Sequence, residues 1–323
     1  MLATMCWGCD AALAKVALGG FGPLTLLAIE LAIATCLLWV ALIIRCHRAG
    51  SYGLAAPRGV YALLGLLEPG IAYAGFNFGL AWTSAVAGSL LGGLEASFTF
   101  ALAVVIRREP LTRRGLVTAA VSGAGALLVG FSSGTHRAGL GDALVLVGVL
   151  AAVACSLIAA NQPATTDPVR MTAWQCTFGL AITLPLLALQ WASGVEVVPV
   201  GATWQQWLAA IISGTVALTV PFLLWNTVVT KVPATVSAMA LNLYPLFGVI
   251  AAVIALGEPV TSLDIAGGVL IVAGVAAFNR AGGAAHRKVA PRPARSLPAA
   301  PAVISPQVSA VGAAHSPARG THG

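Results

Sequence analysis

Charged residues are scarce in this chain. Only 8% of its 323 residues are Asp, Glu, Lys or Arg, against about 25% in a typical soluble domain. Hydrophobic residues make up 59%, and the mean hydropathy is +0.92. So few charges cannot cover a water-facing globule of this length. The composition therefore excludes an ordinary cytosolic enzyme and a nucleic-acid-binding protein, despite a net charge of +7, and indicates a polytopic helical membrane protein.

The signatures of catalysis are also missing. The sequence has no H-E-x-x-H, no G-x-S-x-G and no P-loop, and its histidines all fall in connections or in the C-terminal tail: His47, His136, His286, His315 and His322. We therefore expect no enzymatic activity, no metal, no cofactor and no ATP hydrolysis by this chain. Cys6 and Cys9 have the spacing of a redox pair, but they lie inside an apolar run, where packing is the simpler role.

Ten apolar runs have lengths that suit membrane-spanning helices. They are Leu2–Leu18, Leu24–Ile44, Val60–Trp82, Ala85–Ile106, Gly115–Phe131, Gly141–Ala160, Met171–Trp191, Trp204–Val228, Ala234–Leu256 and Ile265–Phe278. Only Thr83 and Ser84 separate the third run from the fourth. The first run has no basic segment before it, so we expect a helix rather than a cleaved signal peptide; a start codon upstream of Met1 stays open.

The positive charges predict an orientation. Fifteen of the seventeen Lys and Arg residues lie in one set of alternating connections and the tail, whereas the other set holds only Arg137. The excess marks the cytoplasmic side. We therefore expect a multi-pass protein of the plasma membrane with both termini in the cytoplasm. Residues 281–323, rich in Ala, Pro, Ser and Gly, are expected to form a disordered cytoplasmic tail.

The chain repeats itself at a spacing of 149 residues. The sequence Leu94-Glu95-Ala96-Ser97-Phe98 and the following Arg-Glu-Pro-Leu-Thr recur as Leu243-Tyr244-Pro245-Leu246-Phe247 and Gly-Glu-Pro-Val-Thr. Asn77 and Asn226 match at the same spacing, and Glu30 matches Gln175 at 145. Each copy holds five runs, and an odd number inverts the second copy in the membrane. The sequence predicts two five-helix repeats, at 1–132 and 139–280.

These motifs resemble the EamA-like family of the drug/metabolite transporter superfamily. The resemblance rests on Trp7-Gly8, Gly141-Asp142, LEASF with LYPLF, and REPLT with GEPVT, and it covers about residues 1–280. It implies an all-α integral membrane fold of ten transmembrane helices as a 5+5 inverted repeat, alternating access, and a cavity lined by the first four helices of each half. Two departures from the family pattern prevent us from inferring the substrate from a relative. The family's usual Leu-Glu-Pro has Ala96 in place of its Pro in the first copy and Tyr244 in place of its Glu in the second, and Glu30 stands where many relatives carry Arg.

Polar groups inside apolar runs are the candidates for substrate binding or coupling, because an ionisable group at the bilayer centre normally faces a cavity or a partner. The candidates are Trp7, Asp10, Glu30, Asn77, Glu95, Gln175, Asn226 and Tyr244. Asp10, Glu95 and Tyr244 are predicted near the midplane. Other roles stay open for some of these polar groups. Lys15 and Glu30 can extend to the outer membrane interface, Glu68-Pro69-Gly70 can mark a kink, and the two asparagines can form hydrogen bonds between helices instead of binding a ligand.

The leading hypothesis is a secondary transporter for a small polar or amphipathic metabolite, amino-acid-like or drug-like, embedded in the lipid bilayer. Export rather than import follows from the resemblance alone. Proton coupling through a carboxylate and a homodimer are both compatible with the sequence. The alternatives are a membrane scaffold or sensor without transport and a membrane-embedded enzyme.

Overall fold

Every regular element that the structure describes is a helix. The computed structural model describes residues 2–49, 59–95, 98–99, 102, 113–132, 136–163, 165–229 and 244–274. The helices are α1 (Leu2–Ala17), α2 (Pro23–Ala49), α3 (Gly59–Gly65 and Ala72–Trp82, joined by the wide turn Leu66–Ile71), α4 (Ala85–Gly92), α5 (Arg113–Ser132), α6 (His136–Ala160), α7 (Pro168–Ala192), α8 (Trp204–Ile212 and Val220–Val229, joined by the wide turn Ser213–Thr219), α9 (Tyr244–Leu256) and α10 (Ser262–Gly274).

Five of these helices are long and apolar enough to cross a membrane: Pro23–Arg48, Gly59–Trp82, Gly139–Ala160, Pro168–Ala192 and Trp204–Val228. Shorter apolar helices run over Ala120–Val129, Tyr244–Leu256 and Ser262–Gly274. Large apolar side chains such as Leu127, Leu189 and Ile254 are exposed on the outside of the bundle. An apolar exterior of this kind belongs in lipid rather than in water, so the all-α membrane class predicted from the sequence agrees with the structure.

Polar residues set the beginnings of several helices. Ser84 precedes α4, and its hydroxyl accepts a hydrogen bond from the Ala87 amide at 2.9 Å. This is the predicted break between the third and fourth apolar runs. Asp167 caps α7, and Thr203 begins α8 in a reciprocal capping box with Gln206.

Two helices carry a wide, π-helical turn in their middle. In α3 the turn Leu66–Ile71 contains Glu68 at φ −146° and ψ 120°, followed by Pro69, and the helix kinks there as the sequence predicts. Pro69 has no amide hydrogen for the helical ladder. In α8 the turn is Ser213–Thr219. Wide turns leave backbone groups outside the regular ladder and are frequent at functional sites.

The helices pack through small residues. α3 packs on α6, α1 on α8 and α9, α2 on α7, and α4 on α9. A Cβ placed on Gly79 would lie 2.7 Å from the Gly141 carbonyl oxygen, so the backbones of α3 and α6 touch. Gly125 of α5 and Gly267 of α10 approach each other in the same way. This packing leaves a space at the centre of the bundle.

Candidate functional site

A central cavity lies where six helices converge. Its volume is about 80 Å³. Its walls come from α1, α3, α6, α8, α9 and the end of α4, and the lining side chains include Trp7, Asp10, Glu68, Tyr73, Phe76, Glu95, Ser156, Trp225 and Tyr244. Of the eight candidates from the sequence, Trp7, Asp10, Glu95 and Tyr244 line this cavity. The resemblance implied that the second and seventh helices line it as well, but α2 and α7 contribute none of the described lining residues.

The lining is acidic and aromatic. Asp10, Glu68 and Glu95 bring three carboxyl groups to the cavity, and none of the described lining residues is Lys, Arg or His. Five aromatic rings face the same space: Trp7, Tyr73, Phe76, Trp225 and Tyr244. Carboxylates and ring faces both attract cations.

A buried polar cluster stands behind the cavity wall and joins α1, α2, α3 and α8. Ser213 Oγ lies 2.8 Å from Asp10 Oδ1 and 2.5 Å from Glu30 Oε1. Asn77 Nδ2 donates to Glu30 Oε2 at 3.2 Å. Asp10 is 4% exposed, and Glu30 and Ser213 are 0% exposed. The alternative that Glu30 extends to the membrane interface is therefore wrong, because its carboxyl group is buried and contacts Ser213 and Asn77.

A second buried cluster joins α7 and α8 to the kink of α3. Asn226 Nδ2 donates to Gln175 Oε1 at 3.1 Å and to Thr172 Oγ1 at 2.9 Å. Gln175 Nε2 donates to the backbone carbonyl of Glu68 at 2.8 Å and also lies 3.2 Å from Cys155 Sγ. Gln175 thus satisfies a carbonyl inside the wide turn of α3. Both asparagines form interhelical hydrogen bonds, which the sequence left as an alternative to ligand binding.

The aromatic side chains are fixed by hydrogen bonds. Trp7 Nε1 donates to Tyr73 Oη at 3.0 Å, and Tyr73 Oη donates to the Ala217 carbonyl in the wide turn of α8 at 3.3 Å. Trp225 Nε1 donates to Ser156 Oγ at 3.2 Å, and its ring meets Trp7 edge-on at a centroid distance of 5.6 Å. These contacts fix the orientation of the aromatic side chains on the α1, α3 and α8 sides of the cavity.

Lys15 lies outside the cavity. Its ammonium group donates to the carbonyl oxygens of Leu80 and Thr83 at the C-terminal end of α3. A positive charge is favourable at this end of a helix dipole and satisfies carbonyls that have no helical partner. Lys15 is thus a structural cap, and it is not among the described residues that line the cavity.

Two glutamates cap helices that lie far away in the chain. Glu258, of the Gly-Glu-Pro-Val-Thr motif, accepts hydrogen bonds from the amides of Ala85 and Val86 at the start of α4, at 3.0 and 2.9 Å. Glu196 accepts from the amides of Leu24 and Thr25 at the start of α2. A carboxylate is favoured at both places because helix N-termini carry unpaired amide hydrogens and positive partial charge. Glu109, the repeat counterpart of Glu258, lies outside the described residues.

Sequence reasoning missed part of the site. It read Glu68 as a kink residue and did not select Ser213, Tyr73 or Phe76, although all but Ser213 line the cavity. The available signal was that Glu68 belongs to the predicted kink and that Tyr73 follows it by one helical turn. Ser213 had no signal in the sequence, because its importance comes from two partners on other helices.

The sequence model of the EamA-like transporter family matches residues 1–131 and again 139–280. The chain belongs to the EamA-like transporter family. This membership makes it a membrane transporter.

The named relatives share about a quarter of their aligned residues with this chain. A protein of Streptantibioticus cattleyicolor named as a probable terminal-alkyne amino-acid exporter is 25% identical over 284 residues, which cover 87% of this chain and 92% of that protein. The uncharacterized transporter YyaM of Bacillus subtilis is 25% identical over 227 residues, 67% of this chain and 71% of that protein. A crystal structure at 18% identity aligns with a TM-score of 0.64 over 90% of this chain and 96% of its own, and it supports the fold alone.

Proposed function

We propose that this chain is a secondary transporter that exports a small amine-bearing metabolite, amino-acid-like or drug-like, by alternating access around the central cavity. The acidic and aromatic lining, with no basic side chain among the described lining residues, carries this proposal. Uncompensated carboxylates deep in a membrane protein are costly, and a substrate ammonium group would supply the missing positive charge. The printed name of the Streptantibioticus relative, an amino-acid exporter, favours both the amine and the direction.

The cavity volume is consistent with a carrier that changes shape. About 80 Å³ holds a few water molecules, whereas pockets for small-molecule ligands typically measure about 300–1,000 Å³. Substrate entry then requires the surrounding helices to move apart. The kinked α3 and α8, which both border the cavity, are the helices best suited to absorb such a movement.

The architecture that we propose is ten transmembrane helices in two inverted repeats, 1–132 and 139–280, with both termini and the tail 281–323 in the cytoplasm. Matching contacts in the two halves support it. Asn77 donates to Glu30 in one half, and Asn226 donates to Gln175, the counterpart of Glu30, in the other. A Cβ on Gly65 would meet the Gln175 backbone at 2.4 Å, and one on Gly214 would meet the Glu30 backbone at 3.1 Å.

A transport assay with paired substrates tests this function. The purified chain in proteoliposomes is offered a panel of radiolabelled amino acids, each beside its N-acetylated derivative, with and without an imposed pH gradient. N-acetylation removes the ammonium charge but keeps the side chain and the carboxylate. We expect saturable flux of at least one amino acid and none of its N-acetyl derivative.

Two outcomes would contradict the proposal. Equal flux of both members of each pair would refute the requirement for an amine. No flux above protein-free vesicles for any member of a broad panel would favour the scaffold or sensor alternative.

A further inference from the structure

The contact of two buried carboxyl groups with one hydroxyl group fixes the number of hydrogens between them. Asp10 Oδ1 and Glu30 Oε1 lie 2.8 and 2.5 Å from the same atom, Ser213 Oγ. A serine hydroxyl has one hydrogen to donate, and an ionised carboxylate has none. If both carboxyl groups were ionised, one of these short contacts would join two oxygens with no hydrogen between them. One of the two groups must therefore be protonated and donate to Ser213.

The neighbouring contacts indicate which group holds the proton. Glu30 accepts from Asn77 at its second oxygen, so as a carboxylate it accepts a hydrogen bond at each of its two oxygens. The hydrogen bonds then run in one direction, from the Asp10 acid to Ser213 and from Ser213 to the Glu30 carboxylate. Asp10 is also the member of this cluster that lines the cavity.

Among the described residues, no basic side chain forms an ion pair with Asp10 or Glu30. Lys15, the only basic residue of α1, bonds at the end of α3, and Arg45 of α2 pairs with Asp167 at 2.8 Å. The titratable side chains that share the cavity with Asp10 come from α3, from the residues just after α4 and from α9: Glu68, Tyr73, Glu95 and Tyr244. All four are acidic groups or phenols, so none supplies the positive charge that two ionised carboxylates would need.

We infer that Asp10, Ser213 and Glu30 form a proton-binding site that holds one exchangeable proton at the cavity wall. This inference rests on the proposed function in one respect, because it adds that the proton leaves when a substrate ammonium group binds to Asp10. The contact between Asp10 and Ser213 then opens, and the ammonium group becomes the hydrogen donor to the Asp10 carboxylate. That exchange replaces one positive charge by another, so the net charge buried beside the cavity stays the same. Transport of the amine is thereby coupled to movement of a proton in the opposite direction.

The other half of the chain gives a natural comparison. There the counterpart of Glu30 is Gln175, an amide that cannot hold a proton of this kind, and its cluster contains the buried hydroxyl of Thr172. Thr172→Ala therefore removes a buried hydroxyl group from a similar environment without touching a carboxyl group. It serves as the control for Ser213→Ala.

The first experiment needs no substrate. Infrared spectra of the full chain in lipid vesicles at neutral pH are compared in the C=O stretching region of protonated carboxylic acids. We expect Asp10→Asn to remove one component of this band and Ser213→Ala to shift the same component, because the acid loses the acceptor of its hydrogen bond. Thr172→Ala should leave it in place. A band that is identical in the wild type, Asp10→Asn and Ser213→Ala would overturn the proton site.

The second experiment measures exchange directly. An amino acid found to be transported is added to the purified protein in weakly buffered detergent solution with a pH-sensitive dye. We expect close to one proton released for each substrate bound by the wild type and by Thr172→Ala, and no release by Asp10→Asn. Binding by the wild type without proton release would refute the exchange while leaving transport intact. Failure of every panel member to bind or move would instead refute the proposed function, with the infrared result still standing.

Discussion

The crossing of α5 and α10 offers a prediction whose size follows from the structure. An alanine Cβ at Gly125 would lie 2.5 Å from the Gly267 carbonyl oxygen, 3.0 Å from the Ile271 amide nitrogen and 2.9 Å from Ile271 Cγ1. Two of these atoms belong to the backbone and cannot rotate away. We expect Gly125→Ala to force the two helices apart.

Gly123 is the matched control, two residues away on the same helix. A Cβ there would have no described atom within 4 Å. Both substitutions gain the same helix propensity of about 1 kcal/mol, so this contribution cancels in the difference between the variants. What remains is the overpacking cost at Gly125, about 1–3 kcal/mol. That range corresponds to roughly a 5- to 150-fold difference between the two unfolding equilibria.

The assay is denaturant unfolding of both variants, purified in the same detergent. Gly267→Ala supplies a reciprocal test, because its Cβ would lie 2.6 Å from the Gly125 carbonyl oxygen. Since either substitution already separates the helices, the double variant should lose less stability than the sum of the single losses. Equal stability of Gly125→Ala and Gly123→Ala would show that the helices do not cross at this point.

Three further predictions concern the cavity, the cap and the tail. Glu95→Gln keeps the side-chain shape but removes a cavity carboxyl group, so amino-acid flux should fall at least tenfold at equal membrane abundance. Glu258→Gln changes a residue that is not among the described lining residues, so flux should change much less. Near-normal flux of the Glu95 variant would exclude that carboxylate. Lys15→Met leaves two carbonyl groups at the end of α3 without their hydrogen-bond donor, so the free energy of unfolding should fall by about 1–3 kcal/mol. An unchanged midpoint of thermal unfolding would contradict the capping role. Truncation after Arg280 removes only residues beyond both matched family segments, so flux should persist. Reporter proteins fused to the C-terminus should be active only in the cytoplasm, and an external signal would contradict the predicted orientation.

Features encoded in a few neighbouring residues could be predicted from the sequence. The break at Thr83 and Ser84 needs only a polar pair between two apolar runs, and the structure has Ser84 as the cap of α4. The kink of α3 follows from Pro69, whose ring and missing amide hydrogen act on its own turn. The repeat also paired Asn77 with Asn226 and Glu30 with Gln175 as counterparts, but the hydrogen bonds from Asn77 to Glu30 and from Asn226 to Gln175 were not predicted.

Features that depend on distant partners could not be predicted. Ser213 is an ordinary small residue in an apolar run, and it becomes part of the site only because α8 brings it to Asp10 and Glu30, 203 and 183 positions away. Lys15 lies in the last turn of α1, and it becomes a cap only because the fold places the carbonyl oxygens of Leu80 and Thr83 beside it. The residues next to Ser213 and Lys15 in the sequence do not indicate either of these contacts.

The two capping glutamates have a consequence for the order in which the protein is completed during synthesis. The amides that begin α2 and α4 belong to the first half of the chain, yet their acceptors, Glu196 and Glu258, belong to the second. Until those residues emerge from the ribosome, the starts of two early helices lack their partners. The start of α2 can therefore be completed only after residue 196 has been added, and the start of α4 only after residue 258.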